Sequence, residues 1–257
     1  MKRFGKALIV LGAVACVALY LLYPRFAAAR VQNPYEAAAM LETALRAGDT
    51  GETVFRTEEI NLDDVYTALE AIYPYSFALR ATTRPGGTTA LVVEVSRPVR
   101  QDEARQYAKT LAQSVVTEDM DETAKLRALH DALIRQCRYD TDTAESERRV
   151  GSSAPFAADG ALLDHKAVCA GYGRAYAMLC EAVGIRAVYV TSEEMDHGWN
   201  AVRLNGTTYY IDCTFDDPVP DRGEYVFSEY FMRTGDELAK THVWDRSFYE
   251  RLLDNLG

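Results

Sequence analysis

The dipeptide Asn205-Gly206 constrains the fold of this chain more than any other feature. Both residues accept the positive φ of a type I′ turn, and the runs on either side, His197 to Leu204 and Thr207 to Cys213, have strand character. A two-residue turn fixes the register of the hairpin. Leu204 then faces Thr207, Trp199 faces Asp212 and His197 faces Thr214, which puts His197, Trp199 and Asp212 on one face. Diagonal neighbours in such a ladder lie about 7–8 Å apart between backbones, within reach of an imidazole-to-carboxylate hydrogen bond. Asn200 falls on the opposite face, where a structural hydrogen bond is expected, and Trp199 is expected to pack in the core beside the pair. A third strand, Arg186 to Ser192, precedes the hairpin, so an antiparallel sheet is expected.

Immediately upstream, Tyr172, Tyr176, Leu179, Cys180 and Val183 recur at helical spacing and Gly184 supplies a stop. Cys169 therefore stands at a helix N-terminus, where unpaired amides and the positive end of the dipole favour thiolate over thiol. The same amides can stabilise the oxygen of a tetrahedral intermediate. In this arrangement Cys169 is the candidate nucleophile, His197 the base and Asp212 the group that orients the ring, giving a thioester resolved by water or by an amine. Gly171 and Gly173 each cost a helix roughly 1 kcal/mol relative to Ala, which implies a backbone or substrate passing close, or tight helix packing. A cysteine in an apolar helix is by itself more often packing than chemistry; the three residues in order carry the catalytic reading. His165 is a rival base by proximity, but its orienting carboxylate would have to be Asp164, its neighbour, and a loop role is expected. Tyr139 is read as an anchoring aromatic or a second oxyanion donor, and Asp216 and Asp217 as shaping the turn before Pro218.

Cys169-Ala170-Gly171-Tyr172, then Asp196-His197-Gly198-Trp199-Asn200, then Tyr210-Ile211-Asp212 with Thr214-Phe215-Asp216-Asp217-Pro218, resemble the bacterial transglutaminase-like superfamily in order and spacing. The likeness reaches back to Leu129-His130-Asp131 and Tyr139-Asp140 and forward to Tyr230-Phe231 and His242-Val243-Trp244-Asp245, about half the chain. Asp196 and Gly198 depart from the usual Gly and Ala, beside the reacting groups rather than among them. The resemblance implies an α+β fold with a papain-like core, the nucleophile helix packed on an antiparallel sheet. It also carries the family's catalytic roles onto Cys169, His197 and Asp212.

Ahead of this region, helices are expected over residues 34–47, with Ala37, Met40, Leu41 and Leu45 inward, and over 62–72. Strands are expected over 76–82 and 88–96, joined by Pro85-Gly86-Gly87. Two more helices, 101–116 and 121–137, follow, the second opened by Asp119-Met120-Asp121-Glu122. The expected organisation is a targeting segment over 1–30, a small α+β extension over 33–118 and the catalytic domain over 119–257. The first thirty residues carry Lys2, Arg3 and Lys6 before the apolar run Ala7 to Tyr23, a signal peptide or an N-terminal anchor. An extracytoplasmic protein is expected, touching membrane only through that segment.

The net charge of −10 leaves no basic surface for a phosphate backbone, so nucleic acid is excluded as a partner. The four histidines show no metal-site spacing, and neither metal nor cofactor is expected. Cys137, Cys169, Cys180 and Cys213 lack the spacing of a disulfide scaffold. Cys169 and Cys180, eleven residues apart on one helix, lie roughly 16 Å apart and cannot bridge, whereas a Cys137 to Cys213 bridge stays open. The functional expectation is an exported cysteine peptidase or amidase acting on protein or cell-wall peptide amides. The alternatives are a protein-crosslinking transglutaminase and a non-catalytic binding or scaffolding module on the same fold.

Overall fold

A computed structural model describes residues 31–48, 53–56, 60–84, 88–146 and 153–256. The targeting segment, the Pro85-Gly86-Gly87 turn and most of the polar stretch around Gly151-Ser152 lie outside the described residues. The chain divides into two compact units, residues 1–69 with 78–94, and residues 70–77 with 95–257.

The smaller unit carries helix α1 (Pro34–Arg46), strand β1 (Thr53–Arg56), most of helix α2 (Leu62–Ile72), and strands β2 (Phe77–Arg84) and β3 (Thr88–Val95). Its sheet has the order β1-β3-β2, with β1 antiparallel to β3. Asn33 starts α1 by accepting from the Glu36 amide at 2.9 Å, and Pro34 follows where its missing N–H is harmless. Ala37, Ala38, Leu41 and Leu45 are the buried face of α1, while Met40 is 42% exposed, one step off the expected stripe.

In the larger unit, helices α3 (Pro98–Val115) and α4 (Glu122–Gln136) lead to strand β4 (Arg138–Tyr139), helices α5 (Thr141–Ala144) and α6 (Ala158–Leu162), strand β5 (Lys166–Ala167) and helix α7 (Cys169–Ala182). Strands β6 (Ala187–Ser192), β7 (His197–Leu204) and β8 (Thr207–Ile211) follow, then β9 (Arg233–Thr234), α8 (Gly235–Leu238) and α9 (Arg246–Leu256). Helix α3 groups with this unit. The cause is packing: Ala104, Ala108 and Ala112 are fully buried, and α3 lies against α6 and α7.

The sheet β6-β7-β8-β9 is antiparallel throughout. Asn205 and Gly206 both take positive φ, and the ladder runs from Leu204 opposite Thr207 to Asn200 opposite Ile211, the register set by a two-residue turn. Helix α7 lies between this sheet and helices α3, α4 and α6. It is accordingly buried on nearly every side, including Tyr172, Ala175, Tyr176, Met178, Leu179 and Cys180, rather than along one stripe.

Two contacts lock α7 to the sheet. Asn200, 1% exposed, donates its amide to the carbonyls of Gly173 at 2.9 Å and Val188 at 3.3 Å, joining helix and strands through one buried side chain. The ring of Tyr189 fills the space beside two glycines: a Cβ on Gly173 or on Gly198 would stand 2.6 Å from Tyr189 ring carbons. Gly171 is equally confined, by the Pro155 carbonyl and the Ala167 side chain, so tight packing accounts for both helix glycines. The glycine at 198 likewise has a local reason in Tyr189. Gly198→Ala is expected to destabilise the protein by about 1–3 kcal/mol in urea denaturation through overpacking. Combining it with Tyr189→Leu should recover part of that loss, a coupling readable in a double-mutant cycle.

Candidate active site

Cys169 is the first residue of α7. The preceding residue, Val168, is extended and has no side-chain acceptor, so the first-turn amides of α7 are not capped from there. Cys169 is also set apart from the other thiols. It is half-buried, whereas Cys137, Cys180 and Cys213 are buried and all four are free, so no Cys137 to Cys213 bridge forms. Burial pushes the Cys137 thiol up to about 12 and raises Cys180 and Cys213 well above the usual range, leaving three inert sulfurs.

His197 opens β7, and its Nε2 lies 2.7 Å from Asp212 Oδ2. Asp212, fully buried, follows the last residue of β8. Its Oδ1 accepts from the amides of Thr214 at 2.9 Å and Phe215 at 3.0 Å, and its backbone N–H donates to the Tyr230 carbonyl at 3.0 Å. Burial acts to raise the Asp212 pKa, but hydrogen bonds from His197 and His242 outweigh it and hold the carboxyl at about 2. An ionised carboxylate only accepts, so His197 Nε2 carries the proton of that bond. Nδ1 is then the ring nitrogen left for Cys169, which is near enough to act on the imidazole's titration. Burial would lower the His197 pKa; the bonds to Asp212 and Cys169 overcome it and raise the imidazole to about 10. Phe215 stacks on the His197 ring at 4.7 Å with 43% of its surface exposed.

The structure thus brings together the three residues singled out in the sequence, and the diagonal His197 to Asp212 relation of the hairpin register becomes a short contact. His165 is elsewhere, exposed at positive φ with its ring 6.0 Å from that of Tyr107. Tyr139 is held in the β4–β5 pair, its ring 6.5 Å from Tyr172 and its amide bonded to Asp217. Asp216 and Asp217 reach well beyond a turn. Asp217 receives the Tyr172 hydroxyl at 2.5 Å, and burial raises its carboxyl to about 7. Asp216 accepts from the Tyr230 amide at 3.0 Å and from His130 Nε2 at 3.2 Å.

Two histidines were not placed by sequence reasoning. His130 is fully buried and its Nδ1 also meets Asp131 at 2.9 Å, so it bridges two carboxylates. His242 is 2% exposed and its Nε2 lies 3.0 Å from Asp212 Oδ2. Their partners stand 86 and 30 residues away, beyond any local spacing rule; membership of the runs Leu129-His130-Asp131 and His242-Val243-Trp244 was the available signal. One donor atom each from His197, Asp212 and His242 falls within a 4.8 Å set of metal-ligand type. Those atoms are engaged with one another, and a metal there would have to displace the protons that the two imidazole Nε2 atoms direct at Asp212 Oδ2.

A family model described as the transglutaminase-like superfamily matches residues 109–244, about half the chain and all three site residues. The chain belongs to the transglutaminase-like superfamily. It is similar to kyphoscoliosis peptidase of Mus musculus, 23% identical over 161 residues, 55% of this chain and 24% of that protein. It is similar also to kyphoscoliosis peptidase of Homo sapiens, 22% identical over 168 residues, 58% of this chain and 25% of that protein. The chain therefore spans about a quarter of the length of these curated relatives. A solved structure described as a TGase aligns with 15% identity and a TM-score of 0.36 over 63% of this chain and 50% of its own. The superfamily is one of cysteine enzymes, and the α+β architecture agrees with it.

Hydrogen bonds to Asp131 and Asp216 raise the His130 pKa against the opposing effect of burial. A raised folded value means the stabilisation is full below the unfolded value of 6.5 and is lost as pH rises through the folded one. His130→Leu is accordingly expected to lower unfolding stability by about 3 kcal/mol near pH 6. In urea titrations the gap should narrow as the pH is raised into the alkaline range.

Proposed function

We propose that this chain is an exported cysteine-dependent acyl-transfer enzyme that hydrolyses amides of proteins or cell-wall peptides through a thioester. The observation that carries the reading is His197, bonded to Asp212 at 2.7 Å and raised in pKa by that carboxylate and by Cys169, the first residue of α7. With the imidazole protonated, the Cys169 thiolate attacks the carbonyl carbon of the substrate, and first-turn amides of α7 receive the negative charge on its oxygen. Collapse breaks the C–N bond; the proton held at His197 Nδ1 goes to the leaving amine, and Cys169 is left acylated. Neutral His197 then takes a proton from water, hydroxide adds to the thioester, and the thiolate leaves as the carboxylic acid forms. Asp212 remains a carboxylate throughout and keeps the Nε2–H tautomer in place.

The relatives named as peptidases support hydrolysis over transfer to an amine. Export is inferred from the basic and apolar start of the sequence. Among the described residues, no helix is long and apolar enough to cross a membrane. The exposed face of Phe215 against His197 points to an apolar substrate side chain beside the scissile bond.

Incubation with a peptide library and a primary amine, read by mass spectrometry, tests this. Free carboxylate products from the parent, absent with Cys169→Ala, are expected; unchanged turnover by Cys169→Ala would overturn the reading, and amine incorporation would reassign it to crosslinking. Because His197 must be protonated to release the amine, amide turnover is expected to fall as pH rises through about 10. That limb should move to lower pH when Asp212→Asn removes the carboxylate that supports the imidazolium.

A further inference from the structure

The Asp212 carboxylate has a second imidazole on the same oxygen that serves His197. Oδ1 is held by the amides of Thr214 and Phe215, and Oδ2 lies 2.7 Å from His197 Nε2 and 3.0 Å from His242 Nε2. Four donors meet about four lone-pair sites, so the group is saturated. His242 is itself oriented, because Thr241 Oγ1 stands 2.9 Å from its Nδ1 and leaves Nε2 as the nitrogen facing Asp212. The ring is walled in by Trp199 at 4.8 Å, Phe215 at 4.9 Å and Tyr230 at 5.4 Å, with 2% of the residue exposed. A substrate has no route to it.

We propose that His242 is a positioning residue of the acyl-transfer site, fixing Asp212 Oδ2 in the one orientation from which it bonds His197 and presents the other imidazole nitrogen to Cys169. The inference rests on the proposed acyl-transfer reading. The two amides hold only Oδ1; without His242 the sole restraint on Oδ2 is the very ring that Asp212 has to orient. A glutamine amide can place a donor where Nε2 stands, while phenylalanine keeps the ring and removes the donor.

The test is the second-order rate of Cys169 alkylation by iodoacetamide, mapped by peptide mass between about pH 5 and 9. It compares the parent with His242→Gln, His242→Phe and His197→Ala. His242→Phe is expected to slow Cys169 alkylation near pH 6 by about tenfold. His242→Gln should return within about threefold of the parent. Proton NMR supplies a readout that needs no reactivity: two downfield imidazole N–H signals bonded to carboxylate at Asp212 are expected, assigned by their loss in His197→Ala and in the His242 variants. The His197 signal should keep its position in His242→Gln and move upfield in His242→Phe.

Parent-like alkylation by folded His242→Phe would overturn the proposal, as would a folded His242→Gln as slow as His242→Phe, or the absence of a His242 signal. If His242→Phe does not fold, His242→Gln and the two signals still decide. A Cys169 profile indifferent to His197→Ala would instead defeat the acyl-transfer reading, and the NMR signals would then decide alone whether His242 holds Asp212.

Discussion

A carboxylate with no access to water must find its hydrogen bonds inside the protein, and much of this structure is arranged to supply them to Asp212. The donors come from three separate stretches of chain. His197 arrives from the start of β7, the Thr214 and Phe215 amides from the backbone just past β8, and His242 from the segment after α8. The chain between Asp212 and β9 is itself tied back, with the Phe227 amide on the Asp216 carbonyl and the Tyr230 amide on the Asp216 carboxylate. Asp216 is anchored by His130 of α4, so a helix that contributes nothing to the Cys169 and His197 pair still fixes the loop that frames it. One ionised group thereby organises strand ends, loop and helix together.

Cys169, the proposed nucleophile, depends on a different constraint, the depth of α7. A helix enclosed on nearly every side has little freedom to shift, and its glycines admit neighbouring backbone and the Tyr189 ring at distances that a methyl group would forbid. Asn200 then adds a polar lock across the same interface. Cys169 sits at the open end of this rigid element, so its distance from His197 is set by core packing rather than by a mobile loop.

The arrangement of the candidate site was largely legible in the sequence because its information is local. Asn205-Gly206 determines the hairpin register, the register relates His197 to Asp212, and the periodic run ending at Gly184 puts Cys169 at a helix start. What escaped was long-range. His130 and His242 acquire their meaning from carboxylates 86 and 30 residues away, and only the closed loop brings them there. Helix α7 showed a one-sided stripe although it is enclosed, because small residues such as Ala175 and Gly173 carry no periodic hydrophobic signal yet pack as tightly as leucine. The brief strand β1 and the helix α9 at the C-terminal end went unread for a similar reason: each is short, and what specifies it is the surface it packs against.

The isolation of Cys169 from other thiols has a consequence for oxidants. Cys137, Cys180 and Cys213 are buried and raised in pKa, and Cys16 lies outside the described residues. A sulfenic acid formed at Cys169 has no resolving thiol at hand among the described residues to trap it as an internal disulfide, so an external thiol becomes the ready route away from irreversible sulfinic and sulfonic products. Among the described residues, the same seclusion that makes one sulfur available leaves it without a thiol partner for repair.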